Sequence, residues 1–171
     1  MVVRRRLKIT GRAAGFVTMT VVRWKPIFAD ERFAMAMIVQ LEETLRYHTA
    51  GLIGYVLMPT HLHLLMTLPR IEHLSQFVQG FKILSAKRIK EMMTVEEKSP
   101  LIQRGRFSLW KPRFDDVIII SEEQMRTKLN YIHNNPVKAG LVSNPEDYRY
   151  TSAGDWLDNR PGLLPIDKNW L

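Results

Sequence analysis

The chain has 171 residues, 46% of them hydrophobic and 25% charged, which is the ordinary composition of one soluble globular domain. It contains no cysteine, which excludes disulfides, thiolate metal sites and cysteine nucleophiles. No apolar run reaches the roughly 18 residues of a membrane span, and no apolar signal core follows the basic start of the chain. We therefore expect a cytoplasmic protein without a membrane partner.

Lys and Arg total 25 against 17 Asp and Glu, and this net charge of +8 favours a polyanionic partner such as nucleic acid. The excess concentrates in residues 1–25 and in residues 99–114, where aromatic side chains lie between the cations. Aromatic rings stack on unpaired bases while cations hold phosphates, so we interpret these segments as a single-stranded nucleic-acid site. The alternative is a solvated basic face whose aromatic residues serve the core. With basic residues from one helix face, the predicted nucleic-acid-binding residues are Arg4, Arg5, Arg6, Lys82, Lys87, Arg88, Arg104, Arg106, Trp110, Lys111 and Arg113.

Hydrophobic periodicity and turn residues predict the elements in chain order. They are a strand over 15–24, a helix over 30–48, strands over 52–58 and 61–68, a helix over 74–93, a strand over 114–120, a helix over 122–134 and a short helix over 150–157. Asp30 and Ser121 are placed to cap the first and third long helices, and residues 52–68 are expected to pair as a β-hairpin. Residues 94–111 are expected to be a loop that becomes ordered on a ligand.

This order of elements is that of the ferredoxin-like, split βαβ arrangement. It predicts an α+β fold in which an antiparallel sheet carries helices mainly on one face.

The third predicted strand carries the first candidate site. His61 and His63 are two residues apart, so their side chains share one face of the strand, about 7 Å apart. Two imidazoles on one face can bind a divalent cation and leave positions open for substrate oxygens. The alternative is a pair of half-exposed strand histidines with ordinary hydrogen bonds. Spacing does not decide between them, and a third metal ligand must come from elsewhere.

The third long helix carries the second candidate site. Helical geometry places Tyr131 roughly 100° from the buried stripe, with Asn135 one turn later on the same flank. The ordinary alternative for Tyr131 is amphipathic packing at a helix edge. Asn135 has an alternative role as the N-cap of a short turn that has Pro136 at its first position and Gly140 at its end, because a residue before proline disfavours helical geometry.

Four segments together resemble the single-tyrosine HUH transposases, the insertion-sequence-200-like superfamily. They are His-Leu-His at 61–63 after a Met-Pro turn, Trp-Lys-Pro-Arg-Phe at 110–114, Tyr-Ile-His-Asn-Asn-Pro-Val-Lys-Ala-Gly-Leu-Val at 131–142 and Pro-Glu-Asp-Tyr at 145–148. The run that follows Asn135 is similar to the REP-associated tyrosine transposase branch in particular. The likeness covers about residues 15–157, and the order of the segments is more specific than any one of them.

The resemblance implies a catalytic domain that binds single-stranded or hairpin DNA, cuts it and rejoins it. In this family, the metal ligands fall on His61, His63 and Asn135, for Mg²⁺ or Mn²⁺, and the nucleophile falls on Tyr131. The tyrosine would attack the scissile phosphate to give a covalent 5′-phosphotyrosine and a free 3′-hydroxyl. A second 3′-hydroxyl could then rejoin strands without ATP, since the covalent link conserves the phosphodiester energy.

On this hypothesis, residues 1–14 form a basic N-terminal arm, residues 15–142 the HUH transposase catalytic domain, and residues 143–171 a C-terminal extension with one short helix. The protein would be a monomer or a homodimer. One alternative function is a non-catalytic module that binds single-stranded or hairpin nucleic acid. Another is a small metal-dependent hydrolase that uses the two histidines but not Tyr131, and therefore releases a free 5′-phosphate.

Overall fold

A four-stranded antiparallel sheet lies at the centre of the fold in the computed structural model, which describes residues 9–169. The elements are β1 (Ala13–Thr20), α1 (Glu31–Tyr47), β2 (Gly51–Met58), β3 (His61–Leu68), α2 (Leu74–Met92), α3 (Val95–Lys98), β4 (Ile102–Gln103), β5 (Arg106–Phe107), β6 (Asp115–Ile119), α4 (Glu122–Lys138) and α5 (Ala153–Leu157). The strand order is β2-β3-β1-β6, with every neighbouring pair antiparallel. This is the ferredoxin-like order, so the predicted fold class is confirmed.

Both faces of the sheet are buried, each by different helices. On one face, Val17 and Leu64 belong to a large core that includes the apolar stripes of α1 and α2. On the other face, Phe16 and Leu65 pack with Ile132 of α4. The helices therefore lie mainly on one face, as predicted, while the third long helix covers the opposite face. Because side chains alternate along a strand, that opposite face is the one to which His61 and His63 belong.

The two predicted helix caps are confirmed. The Asp30 carboxylate accepts a hydrogen bond from the Arg32 backbone N–H at 2.9 Å, and the Ser121 hydroxyl accepts one from the Gln124 backbone N–H at 3.1 Å. Each cap satisfies a backbone donor that the first helical turn would otherwise leave unpaired.

The end of α4 differs from the prediction. The helix continues past the predicted end at residue 134, through Pro136 to Lys138, so the alternative role of Asn135 as the cap of a short turn is wrong. Proline lacks an N–H and costs the helix one hydrogen bond, but here the ring is buried in the packed face. Gly140, with φ of +71°, closes the helix by donating to the Val137 carbonyl at 3.0 Å.

The first strand, β1, ends earlier in the chain than predicted. β1 stops at Thr20, because the backbone turns sharply at Arg23 and Trp24, both of which have positive φ. The predicted strand is therefore wrong for residues 22–24, where a short 3-10 turn takes its place.

The segment over residues 94–111 is also more regular than predicted. It opens with a capping box at Thr94, contains the small β4–β5 hairpin, and buries Leu101 and Trp110 in the core. Because these two side chains bury apolar area, they fix the segment to the core. The expectation of an irregular loop is wrong for this stretch.

The C-terminal segment follows the outer edge of β2. Thr151 pairs with Val56, the Tyr148 hydroxyl donates to the Leu57 carbonyl at 2.8 Å, and the indole N–H of Trp156 donates to a further β2 carbonyl. These contacts cover strand groups that would otherwise be unpaired. Within residues 9–169, no helix combines the length and the apolar character needed to cross a bilayer.

Candidate active site

The two histidines of β3 lie side by side, as the strand spacing predicted. Their ring centroids are 4.7 Å apart. The pairing of β1 with β3 puts Thr18 opposite His63, and the Thr18 hydroxyl lies 2.7 Å from Nδ1 of that ring. The Thr60 hydroxyl lies 2.9 Å from Nδ1 of His61. A threonine therefore holds the same nitrogen of each imidazole, which leaves Nε2 as the nitrogen that can face a ligand.

Burial keeps both imidazoles neutral. The pKa of His63 is lowered to about 3, mainly by desolvation and to a smaller extent by electrostatic repulsion from His61 and Lys128. Desolvation also lowers the pKa of His61, partly opposed by a side-chain hydrogen bond with Asn135. A neutral imidazole offers a lone pair at neutral pH, which is the form that binds a metal ion.

Tyr131 projects from α4 toward the same two histidines. Its ring centroid lies 5.2 Å from that of His63 and 6.1 Å from that of Phe16. The side chain is 42% exposed, so a molecule in solution can reach it. Asn135, one helical turn later, contacts His61. The structure thus brings together the four side chains predicted to carry catalysis and metal binding.

A glycine in β2 permits α4 to lie this close to the sheet. A Cβ atom at Gly54 would stand 2.6 Å from Cδ1 of Leu129 and 3.3 Å from the Ser152 hydroxyl. The missing side chain lets Leu129 and Ile132 settle on the strand surface. This close packing sets how far Tyr131 stands from the histidines.

The two histidines, Tyr131 and Asn135 line an open cleft of about 720 Å³. Its lining residues are Thr18, Thr20, Trp24, His61, His63, Lys111, Pro112, Arg113, Phe114, Asp115, Tyr131 and Asn135. Two of the predicted nucleic-acid-binding residues, Lys111 and Arg113, are among them. The cleft therefore combines neutral imidazoles, a tyrosine hydroxyl and cationic side chains, a set suited to a phosphate diester.

The donor set fits one divalent cation. Nε2 of His63 is buried and has no hydrogen-bond partner within residues 9–169, and an unpaired buried nitrogen is costly unless a ligand satisfies it. Within the same residues, no group of three His, Cys, Asp or Glu side chains could hold a metal ion. A three-ligand site here therefore depends on the amide of Asn135 together with His61 and His63.

The other predicted nucleic-acid-binding residues lie in several places. Lys87, Arg104 and Arg106 are exposed outside the cleft, on α2 and the β4–β5 hairpin. Arg4, Arg5 and Arg6 lie outside the described residues.

Two predicted surface cations are instead half-buried. Lys82 donates to the backbone carbonyls of Lys111 at 2.6 Å and of Pro112 at 3.0 Å. Arg88 pairs with Glu43 at 2.7 Å and so joins α2 to α1. Because internal acceptors hold both side chains, neither Lys82 nor Arg88 is fully free to contact DNA.

The prediction that Trp110 stacks on a base is also wrong. The side chain is 5% exposed, packs against Phe28 and Phe81, and donates from Nε1 to the Ser85 hydroxyl at 2.9 Å. It therefore belongs to the core. The exposed tryptophan of the cleft is Trp24, which is 56% exposed.

We expect Trp110→Ala to destabilise the fold by about 3–5 kcal/mol, because it leaves a cavity and removes the hydrogen bond that the Ser85 hydroxyl accepts from the indole. Urea unfolding measures the change in the free energy of unfolding for Trp110→Ala and for a matched control, Trp24→Ala. The control should change the free energy of unfolding by less than about 1 kcal/mol, because its side chain is largely exposed. Equal losses in both variants would contradict the assignment of Trp110 to the core.

Sequence reasoning missed the residues that orient the histidines and border them. Thr18 and Thr60 hold the rings, Phe16 stacks on His63 with centroids 5.5 Å apart, and Trp24 meets His61 edge-on. The signal for Thr18 was its place as one of only two polar residues, with Thr20, in the apolar strand β1. Its register against His63 is a tertiary property that no local pattern contains.

Comparisons with known proteins agree with this geometry. A REP-associated tyrosine transposase of Escherichia coli (strain K12) is 30% identical over 114 residues, which cover 67% of this chain and 59% of the relative. The chain spans about three fifths of the length of the curated relatives it matches. Among solved structures, a REP-associated tyrosine transposase bound to a REP hairpin has a similar fold, with a TM-score of 0.71 at 23% identity. That match covers 98% of this chain and 90% of the other.

The sequence model of the family described as "Transposase IS200 like" matches residues 15–135. The matched region runs from β1 to Asn135, and so includes both histidines and the tyrosine of the cleft. This chain belongs to the IS200-like transposase family.

Proposed function

We propose that this protein is a metal-dependent transposase that cuts and rejoins single-stranded, hairpin-bearing DNA through a covalent bond to Tyr131. The observation that carries the proposal is the convergence of Tyr131, His61, His63 and Asn135 in one cleft. The family is generally metal-dependent. The E. coli relative is a REP-associated transposase, and the similar solved structure holds a REP hairpin.

His61, His63 and Asn135 would hold a divalent cation, Mg²⁺ or Mn²⁺. When bound, such a cation would polarise a non-bridging oxygen of the scissile phosphate. Thr18 and Thr60 keep Nδ1 of the two rings engaged, and this fixes the orientation of Nε2 toward the cleft.

Tyr131 would supply the nucleophile. Its hydroxyl oxygen would form a bond to phosphorus while the bond from phosphorus to the 3′-oxygen breaks; the tyrosine loses its proton, and the leaving 3′-oxygen takes up a proton to become the 3′-hydroxyl. The product is a 5′-phosphotyrosine, from which a second 3′-hydroxyl can displace the tyrosine and join two strands. The exposed side chain can meet a phosphate in the cleft without a change of fold.

The basic side chains supply the electrostatic part of binding. Lys111 and Arg113 in the cleft would hold the phosphates next to the cleavage point. Exposed Lys87, Arg104 and Arg106 would contact the DNA further away. Because such contacts release counterions, the affinity for DNA is expected to fall steeply with salt.

The test of this function is the covalent adduct itself. We expect the protein, incubated with Mn²⁺ or Mg²⁺ and a labelled DNA hairpin that has single-stranded flanks, to yield a protein–DNA adduct that survives denaturant. Mass spectrometry should place the nucleotide on Tyr131. A blunt duplex of the same sequence is the control and should give little adduct, because its bases are paired.

The same experiment separates the other functions. A non-catalytic module would bind the hairpin and leave every strand intact. A metal-dependent hydrolase would release a free 5′-phosphate with no adduct. Either result, or an adduct on another tyrosine, would contradict the proposal.

A further inference from the structure

Trp24 combines exposure with an unusual backbone. The indole is 56% exposed and lines the cleft, where a bound molecule can reach it. Trp24 has φ of +53° and Arg23 before it has φ of +54°. Two consecutive side-chain-bearing residues in the left-handed region are unfavourable, and such strain collects at functional sites.

Hydrogen bonds on both sides hold this turn in place. The Val21 N–H donates to the Thr60 carbonyl at 2.9 Å, and the Val22 N–H donates to the Leu109 carbonyl at 2.9 Å. The Trp24 N–H then closes the turn on the Val21 carbonyl at 3.1 Å. The turn is thus tied to the loop that precedes β3 and to the segment that leads into β6, and its strain is a fixed feature of the fold.

The turn presents the indole beside the proposed metal ligands. Its ring centroid lies 5.9 Å from that of His61, with the two planes nearly perpendicular. Nζ of Lys111 lies 4.2 Å from the indole centroid, which is a cation–π contact. The backbone of Lys111 is itself fixed, since its N–H donates to the Thr20 carbonyl and its carbonyl accepts from Lys82. The lysine and the indole are therefore held as one unit.

We propose that Trp24 is the stacking platform for the nucleobase next to the scissile phosphate, with Lys111 as the cation that accompanies it. This inference rests on the proposed function, because it places a DNA strand in the cleft. An aromatic ring beside a phosphate-binding cation is the arrangement that binds single-stranded nucleic acid. The stack tolerates any base but needs an unpaired one, so Trp24 selects single-stranded DNA at the cleavage point and does not read its sequence.

The test is a double-mutant cycle that measures DNA affinity, in which one change is at Trp24 and the other removes one base of the DNA. It uses Tyr131→Phe protein, so that no cleavage occurs, and a DNA hairpin whose single-stranded flanks carry an abasic nucleotide at each position in turn. With intact DNA, Trp24→Ala should weaken binding by about 10-fold or more, and Trp24→Phe by much less. An abasic nucleotide at one position, next to the phosphate that joins Tyr131 in the adduct, should weaken binding similarly.

The coupling between Trp24→Ala and the abasic nucleotide shows whether Trp24 stacks on that base. In the Trp24→Ala background, the abasic nucleotide at that position should cost little more, because the stack is already lost. Tyr47→Ala is the matched control, since this aromatic ring is 84% exposed on α1, outside the cleft, and its loss should not change the affinity. Independent, multiplicative losses, or an unchanged affinity in Trp24→Ala, would overturn the role of Trp24. A protein that binds no hairpin in any form would overturn the proposed function as well.

Discussion

We expect Tyr131→Phe to reduce DNA cleavage by at least about 1,000-fold and to abolish the covalent adduct, while hairpin binding and metal binding change little. The substitution removes one oxygen and keeps the ring that packs at 5.2 Å from His63 and 6.1 Å from Phe16. The helix and the cleft should therefore be retained. Gel separation of labelled DNA under denaturing conditions measures both the cleaved strand and the covalent protein–DNA adduct.

Tyr47→Phe provides the matched control for this change. It removes the same atom from a tyrosine on α1 that is 84% exposed, and it should leave cleavage unaltered. Thermal unfolding of both variants should give midpoints close to that of the unchanged protein. Residual cleavage in Tyr131→Phe at the wild-type rate would show that another group attacks the phosphate.

The elements that the sequence predicts well are those with local signals. The apolar periodicity of residues 30–48 and 74–93 gives α1 and α2 within one or two residues. The Asp30 and Ser121 caps work because a side-chain oxygen satisfies a backbone donor only two or three residues away. The shared face of the two histidines follows from strand geometry alone and needs no tertiary information.

The errors arise where tertiary packing overrides a local signal. Trp24 and Trp110 both lie among basic residues, yet one is exposed in the cleft and the other is in the core. The difference depends on Phe28, Phe81 and Ser85, which approach Trp110 from distant parts of the chain. No pattern within residues 99–114 contains that information.

The wrong prediction of the end of α4 at Pro136 has the same cause, since tertiary packing overrides a local signal there too. A proline after an asparagine predicts a helix end, because the preceding residue tends to leave the helical region. Here the continuous buried face of α4 stabilises the helix by more than the lost hydrogen bond costs. Asn135 therefore stays in helical register with Tyr131, and this is what places its amide next to His61.

The second large effect concerns the metal site. We expect His63→Ala to weaken Mn²⁺ binding by at least about 100-fold, because it removes the buried Nε2 that has no hydrogen-bond partner within residues 9–169. Isothermal titration with Mn²⁺ in the absence of DNA measures this directly. His61→Ala should have a comparable effect, and Asn135→Ala a smaller one, since a neutral amide oxygen is the weakest donor of the three.

Two further variants show whether the loss reflects ligation or a general disturbance. Thr18→Val keeps the shape of the side chain and removes the hydroxyl that holds Nδ1 of His63, so it should weaken Mn²⁺ binding by only about 10- to 100-fold. His73→Ala removes an imidazole at the other end of β1 and should have no effect. If His63→Ala bound Mn²⁺ as tightly as His73→Ala, the two strand histidines would be ordinary hydrogen-bonded residues, and the cation would have to bind elsewhere.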